Sequence, residues 1–244
     1  MVLGFDTATP ATVVALLDPT RDQAVEARDD PDTDPAHPRR PRHMTALLAL
    51  VEQEMRGLGI GWAEIERIAV GVGPGTFTGL RIGVATAHAL ARARDIPLVG
   101  VSSLHALARG AVADGTPAEE GVMAVIDARR GEVFAAGWAT EDVAQPTAVP
   151  LLEPRPLSPD ALAETMAAAG RSWLAVGDGA VEFRTALKRS GARIPGRDSG
   201  RNRVSAVQHC RLATGLAPVD PDGVQPEYLR LPDAELTLRA ARQP

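Results

Sequence analysis

Apolar residues recur with helical spacing between positions 44 and 58. Counted from the first, they fall at i, i+3, i+4, i+7, i+11 and i+14, which places them in one stripe along a helix. The stripe consists of Met44, Leu47, Leu48, Val51, Met55 and Leu58. Gly57 and Gly59 flank its last member and predict that the helix ends there.

Short apolar runs without helical spacing predict strands. Runs at 2–5 and 12–17 flank a turn and predict a hairpin. Runs at 67–72 and 97–101 flank a helical pattern and predict a β-α-β unit. Further strands are predicted at 123–127, 132–138 and 173–176, and helices at 103–113, 159–169 and 204–212. Because hairpins followed by crossovers occur twice, the pattern predicts a duplicated α/β architecture with mixed sheets.

A glycine-rich segment forms the turn into the second predicted helix. Gly71, Gly73 and Gly75 lie in the loop, and the helix itself keeps Gly79 and Gly83. A helical glycine costs about 1 kcal/mol relative to alanine. Two of them four residues apart leave one helix face almost without side chains. The segment is therefore predicted to be a contact surface.

Glycine loops that open a helix occur in three kinds of phosphate site. A Walker loop needs a lysine at the helix start, but Lys188 is the only lysine in the chain. A dinucleotide fingerprint needs a third glycine where Thr78 stands, although Asp95 lies near the distance of a ribose-binding acid. An anion bound by the amides of residues 75–78 stays physically possible. We favour a tight strand-to-helix turn with close packing.

Composition limits the classes of function. The 244 residues are enough for one large or two small domains, and the net charge is −5. That charge argues against a chain that binds RNA unaided. Cys210 is the single cysteine, which excludes an intramolecular disulfide, and we interpret it as a partly buried core thiol rather than a nucleophile. The N-terminus begins directly with strand residues and no apolar run approaches membrane-spanning length, so we expect a cytoplasmic protein.

The glycine segment also carries a family resemblance. The string Gly73-Pro-Gly-Thr-Phe-Thr-Gly-Leu-Arg-Ile-Gly83 resembles the signature of the TsaB (YeaZ) family of bacterial tRNA-modification proteins. Asp127-Ala-Arg-Arg-Gly131 resembles the start of that family's second domain. Further similar blocks follow in the family's order at 3–7, 96–104, 126–134, 176–180 and 226–230.

The resemblance implies a fold and a domain organisation. It implies two ribonuclease-H-like lobes of the actin, Hsp70 and sugar-kinase superfamily. The first lobe is expected at 1–113, completed by a C-terminal helix near 203–215. The second, smaller lobe is expected at 118–200, and a C-terminal extension at 216–244.

The resemblance also implies a function and partners. TsaB pairs with TsaD, which transfers a threonylcarbamoyl group to the adenosine beside the anticodon, and the ATPase TsaE joins them. We therefore expect a non-catalytic scaffold that uses no cofactor, contacts tRNA only through the complex, and forms a homodimer when alone.

The expected partner surface combines the two apolar helices. Its predicted members are Met44, Leu47, Leu48, Val51, Gly79, Leu80, Gly83, Val84, Thr86 and Ala87. Small residues would let helices approach closely, while the larger ones supply apolar area. Some of these must face the chain's own sheet. On this interpretation Gly79→Leu or Val84→Asp should abolish TsaD binding and leave the fold intact.

The alternative is an active ATPase or kinase of the same superfamily. The resemblance places a vestigial nucleotide site at Asp6, Thr7, Thr9, Asp127, Gly177 and Gly179. In an active enzyme Asp6 and Asp127 would hold magnesium-bound water. We favour a local turn in which the Asp6 carboxylate accepts a hydrogen bond from its own backbone.

Histidine spacing argues against a third possibility, a metallohydrolase. TsaD carries a His-x-x-x-His pair, whereas no two of the five histidines here are four residues apart. The hydrolase motifs G-x-S-x-G and H-E-x-x-H are also missing. We expect no metal site and a cap or solvent role for His43. The proline-rich and arginine-rich stretch 29–42, with Arg39 and Arg40, is predicted to be a solvated loop rather than an RNA contact.

Overall fold

The computed structural model describes residues 1–31 and 41–230 and has strands in two mixed sheets. Most of the predicted loop at 29–42, and the end of the predicted C-terminal extension, lie outside the described residues. The strands are β1 (Val2–Asp6), β2 (Thr12–Asp18), β3 (Gln23–Asp29), β4 (Arg67–Gly73), β5 (Leu98–Ser102), β6 (Gly121–Arg129), β7 (Glu132–Ala139), β8 (Leu152–Leu157) and β9 (Trp173–Val176). The helices are α1 (His43–Leu58), α2 (Phe77–Arg94), α3 (Ser103–Gly110), α4 (Pro159–Ala168), α5 (Asp178–Glu182), α6 (Arg184–Leu187) and α7 (Ala206–Thr214).

The first sheet has the order β3-β2-β1-β4-β5. Strand β1 pairs antiparallel with β2 and parallel with β4, and β4 pairs parallel with β5. Because parallel strands end at the same edge, the β1–β2 turn lies beside the ends of β4 and β5. That edge is where the glycine segment enters α2.

The second sheet has the order β8-β7-β6-β9 and repeats this plan. Strand β6 pairs antiparallel with β7 and parallel with β9, as β1 does with β2 and β4. This repeated plan confirms the predicted α/β fold class with two mixed sheets.

Helices cover both faces of each sheet. Helices α1 and α2 bury Leu47, Val51 and Val84 against Leu3 and Phe5 of β1. On the other face α7 packs so closely that a Cβ on Gly4 of β1 would collide with the side chain of Cys210. Helix α3 lies between the lobes, since its residues contact both α7 and strand β6. Of the described helices, none is both long and apolar enough to cross a membrane.

Two strands and two short helices were not predicted from sequence. Strand β3 is mostly polar because it is an edge strand with one face open to solvent. Strand β8 contains Pro154 and Pro156, which an edge strand tolerates because it has free backbone positions. Helices α5 and α6 span five and four residues and are too short to show a periodic pattern.

Candidate nucleotide site and partner-binding face

The glycines at the start of α2 pack against the β1–β2 turn. A Cβ on Gly79 or Gly83 would lie well inside 3.0 Å of Thr7 atoms. The Thr7 hydroxyl donates a hydrogen bond of 2.7 Å to the Gly79 carbonyl oxygen, and both side chain and helix are buried there. This corrects the prediction that the bare helix face meets a partner, because the chain's own turn already fills it. Gly79→Leu would therefore disrupt the fold.

The loop before α2 is also committed to this turn. A Cβ on Gly75 would collide with Ala8. The Thr76 backbone N–H donates to the Ala8 carbonyl oxygen at 2.7 Å. One of the amides considered for an anion site is thus already paired inside the protein.

Asp6, at the end of β1, is fully buried within a set of polar partners. The Ser103 hydroxyl donates to Oδ2 at 2.5 Å, and the Ala8 backbone N–H donates to Oδ1 at 2.7 Å. Nε2 of His209 lies 3.0 Å from Oδ2. Burial raises the pKa of Asp6, but the hydrogen bond and charge of His209, together with Ser103 and Ala8, outweigh it and hold the pKa below its ordinary value.

His209 was not identified from the sequence. Its Nδ1 lies 3.0 Å from the carbonyl oxygen of Ser205, one turn earlier in α7. The close contact between Asp6 and His209 joins β1 to α7. A sequence pattern could not show this, because the pair exists only once α7 packs on the sheet.

The burial of Asp6 and Thr7 removes both from solvent. A carboxylate that holds magnesium-bound water needs an accessible oxygen. The two carboxylate oxygens of Asp6 instead contact Ser103, Ala8 and His209. The backbone bond from Ala8 is the local turn favoured from the sequence.

Asp127 makes a similar local turn at the end of β6. Its Oδ1 accepts from the Arg129 backbone N–H at 2.8 Å, and Oδ2 lies 3.0 Å from the Arg129 guanidinium. Its own N–H donates to the Asp178 carboxylate at 3.0 Å. Unlike Asp6, Asp127 reaches the surface, where it and Asp178 line a cavity of about 310 Å³.

The two glycines after β9 serve the packing of the second lobe. A Cβ on Gly177 would run into the Val125 carbonyl oxygen, and one on Gly179 would press on the backbone of Ile126 and Asp127. Gly177 has a φ of 115°, which a side chain would strain. Thr9 lines a neighbouring cavity of about 130 Å³. Thr9 and Asp127 thus line two separate cavities that share Asp178, whereas Asp6 and Thr7 are buried.

The described residues hold no group of three His, Cys, Asp or Glu side chains that could bind a metal ion. His43 is buried at the start of α1, with Nδ1 2.8 Å from the Thr12 hydroxyl, which corrects its expected cap or solvent role. Cys210 is a core thiol, but it is fully buried rather than partly buried as expected, and burial raises its pKa. Such a thiol is inert.

The structure divides the predicted partner surface. Seven of its ten members are buried within the chain's own lobe: Leu47, Val51, Gly79, Leu80, Gly83, Val84 and Ala87. They hold α1 and α2 on the first sheet, so Val84→Asp would destabilise the fold. Met44 and Leu48 are 81% and 49% exposed, and Thr86 is half-buried.

An accessible stripe remains on each helix. Met44 and Leu48 are one turn apart on α1. On α2 the accessible positions 82, 85, 86 and 89 recur with helical spacing and are Ile82, Ala85, Thr86 and Ala89. We call these six residues the outer face. Large exposed apolar side chains such as Met44 and Leu48, grouped on one helix, are typical of contact surfaces.

Comparison with known proteins points to one family. The family model described as TsaD, tRNA N6-adenosine threonylcarbamoyltransferase, matches residues 37–154. The tRNA threonylcarbamoyladenosine biosynthesis protein TsaB of Escherichia coli K12 is 33% identical over 183 residues, covering 73% of this chain and 71% of that protein. TsaB of Haemophilus influenzae is 32% identical over 54% of this chain, which spans about half (51%) of that protein.

A solved structure agrees over a longer stretch. It is a Pseudomonas aeruginosa protein described as similar to peptidase YEAZ, and it superposes with a TM-score of 0.75 at 28% identity. The match covers 94% of this chain and 99% of that one. Both lobes therefore have counterparts in a single known protein.

Proposed function

The chain belongs to the TsaB (YeaZ) family, and we propose that it is a non-catalytic subunit that binds and activates TsaD. Family members take part in the biosynthesis of threonylcarbamoyladenosine in tRNA. In our proposal TsaD transfers the threonylcarbamoyl group to the adenosine beside the anticodon, and this chain holds TsaD in an active shape.

The complete burial of Asp6 is the observation that supports a non-catalytic role for this chain. Asp6 is the carboxylate that an active relative would direct at a metal-bound nucleotide. Here it is fully buried and paired with His209 at 3.0 Å. Exposing it would break the buried hydrogen bonds from Ser103 and Ala8 as well as the contact with His209, which is unfavourable.

The outer face supports the partner-binding part. Met44 and Leu48 expose apolar surface that a partner would remove from water, which is favourable in proportion to area. TsaD is the partner that the family resemblance implies. TsaE and tRNA would join through the complex, and the same face would form a homodimer when TsaD is absent. We place this assembly in the cytoplasm.

Binding to purified TsaD tests the proposal. Met44→Asp with Leu48→Asp puts two charges on the outer face, and we expect the dissociation constant to rise at least tenfold with the thermal unfolding midpoint unchanged. Gln53→Asp is the matched control. Gln53 is also exposed on α1, but it lies on a different side of the helix from Met44 and Leu48. Equal affinity of the double variant and wild type would refute the outer face as the TsaD site.

The alternative function is ATP turnover by the isolated chain. The observation in its favour is that Thr9 and Asp178 line one cavity, while Asp127 and Asp178 line a second one. It predicts phosphate release that Asp127→Asn abolishes. Our proposal predicts no release above the buffer rate, with or without that substitution.

A further inference from the structure

The described end of the chain runs along α2 as a segment that contains one short 3-10 helix, Pro221–Gly223. Val219 N–H donates to the Leu98 carbonyl oxygen of β5 at 3.1 Å, and Glu227 N–H donates to the Val72 carbonyl oxygen of β4 at 2.7 Å. Between them Val224 is buried in the core shared by α1, α2 and the first sheet. Residues 219–228 are therefore fixed to the first lobe.

Side chains along the whole length of α2 contact this segment. Near the C-terminal end Arg92 pairs with Asp222. In the middle, Nε2 of His88 lies 2.8 Å from the Val224 carbonyl oxygen.

At the N-terminal end of α2 the contact with this segment is an aromatic pair. The Phe77 and Tyr228 rings are 5.1 Å apart. Arg81 stacks on Phe77 at 3.9 Å and donates to the Tyr228 hydroxyl at 3.0 Å. Tyr228 is thus held against the first turns of α2.

The next two residues cross to the second lobe. Leu229 packs against the core between α3 and the second sheet. The Arg230 guanidinium donates to the Glu132 carboxylate at 2.7 Å and to the Ala128 carbonyl oxygen at 2.9 Å. Both partners belong to the β6–β7 hairpin, which also carries Asp127.

We propose that residues 219–230 form an interlobe latch, in which Arg230 is a positioning residue that fixes the β6–β7 hairpin relative to α2. Without the Arg230 contacts the hairpin is no longer tied to the segment that Phe77 and Arg81 hold at Tyr228, so the lobes separate more widely. The consequence for the partner rests on the proposed function: because α2 carries four of the six residues of the outer face, loosening the latch weakens TsaD binding.

The latch is tested first in the isolated chain. Cysteines at exposed positions, Arg56→Cys on α1 and Glu164→Cys on α4, accept spin labels, while the buried Cys210 does not react. Pulsed electron paramagnetic resonance on spin-diluted protein then gives the distribution of distances between the two labels, one on each lobe. We expect Arg230→Ala to broaden it and shift it to longer distances. Arg189→Ala is the control, since it removes an exposed arginine that pairs with Asp160 inside the second lobe.

Two further variants separate the latch from general damage. Glu132→Gln removes the same ion pair from the hairpin side and should broaden the distribution as Arg230→Ala does. Arg230→Lys keeps the charge but cannot make both hydrogen bonds as a fork, so an intermediate distribution is expected. Distributions of Arg230→Ala and wild type that coincide would overturn the latch.

Affinity for TsaD tests the coupling. We expect Arg230→Ala to weaken binding about fivefold or more, the lower end of measured couplings between sites, with Arg230→Lys partly restored. A broadened distribution with unchanged TsaD affinity would overturn the coupling. If the wild-type chain does not bind TsaD, the proposed function fails, and the lobe distances still decide the latch.

Discussion

Nε2 of His209 lies 3.0 Å from Oδ2 of Asp6, and neither side chain is exposed to solvent. This contact links the first strand of the chain to α7, its last α-helix among the described residues. Asp6 and His209 thus hold two elements of the first lobe together.

Asp6→Asn should destabilise the protein by roughly 3 kcal/mol, because it removes a buried carboxylate from its contact with His209. The asparagine keeps an oxygen for Ser103 or Ala8, so the loss reports mainly the charge of the carboxylate. Urea unfolding at pH 7 measures the change in the free energy of unfolding. Asp160→Asn removes an exposed ion pair and should change little. A variant as stable as wild type would show that the contact between Asp6 and His209 does not hold α7 on the sheet.

His43 predicts a dependence of stability on pH. Burial lowers its pKa from 6.5, although the charges of Asp6 and Asp29 oppose the shift. Below pH 6.5 the unfolded chain therefore takes up the proton before the folded one does, and the free energy of unfolding falls until the folded pKa is passed.

His43→Gln should remove this contribution and flatten the decline. His105 is also buried with a lowered pKa, so part of the decline will stay. The measurement is the urea midpoint of both proteins at pH 7.5 and 5.5. A difference between the two proteins that is the same at both pH values would contradict the assignment.

Gly79→Ala and Gly57→Ala should change stability in opposite directions. Each replaces a helical glycine and gains about 1 kcal/mol of helix propensity. At Gly57 a Cβ meets no atom within 4 Å, so that gain should appear. At Gly79 it collides with the Thr7 carbonyl oxygen, so we expect a net loss of about 2 kcal/mol, in the range for overpacking. Thermal unfolding compares them, and a stabilising Gly79→Ala would refute the packing role.

Local pattern was sufficient for much of the fold. The apolar stripe predicted α1 to within one residue, and the alternation of short runs predicted seven of the nine described strands. It missed β3 and β8 because edge strands bury little, and their polar or proline-rich sequences carry no strand signal.

The site was less predictable, because its features depend on tertiary contacts. The same apolar stripe contains Leu47, which faces the core, and Leu48, which faces solvent. Nothing local distinguishes them. Likewise, a glycine pair that leaves a bare helix face fits a partner helix or the chain's own turn, and only the position of Thr7 decides between them.

The most direct measurement is reconstituted tRNA modification with purified TsaD, TsaE, the synthase that supplies the threonylcarbamoyl adenylate, and this chain. We predict that formation of threonylcarbamoyladenosine requires the chain, is lost with Met44→Asp and Leu48→Asp together, and persists with Asp127→Asn. Modification at the full rate without the chain, or loss with Asp127→Asn alone, would contradict a non-catalytic subunit that activates TsaD through its outer face.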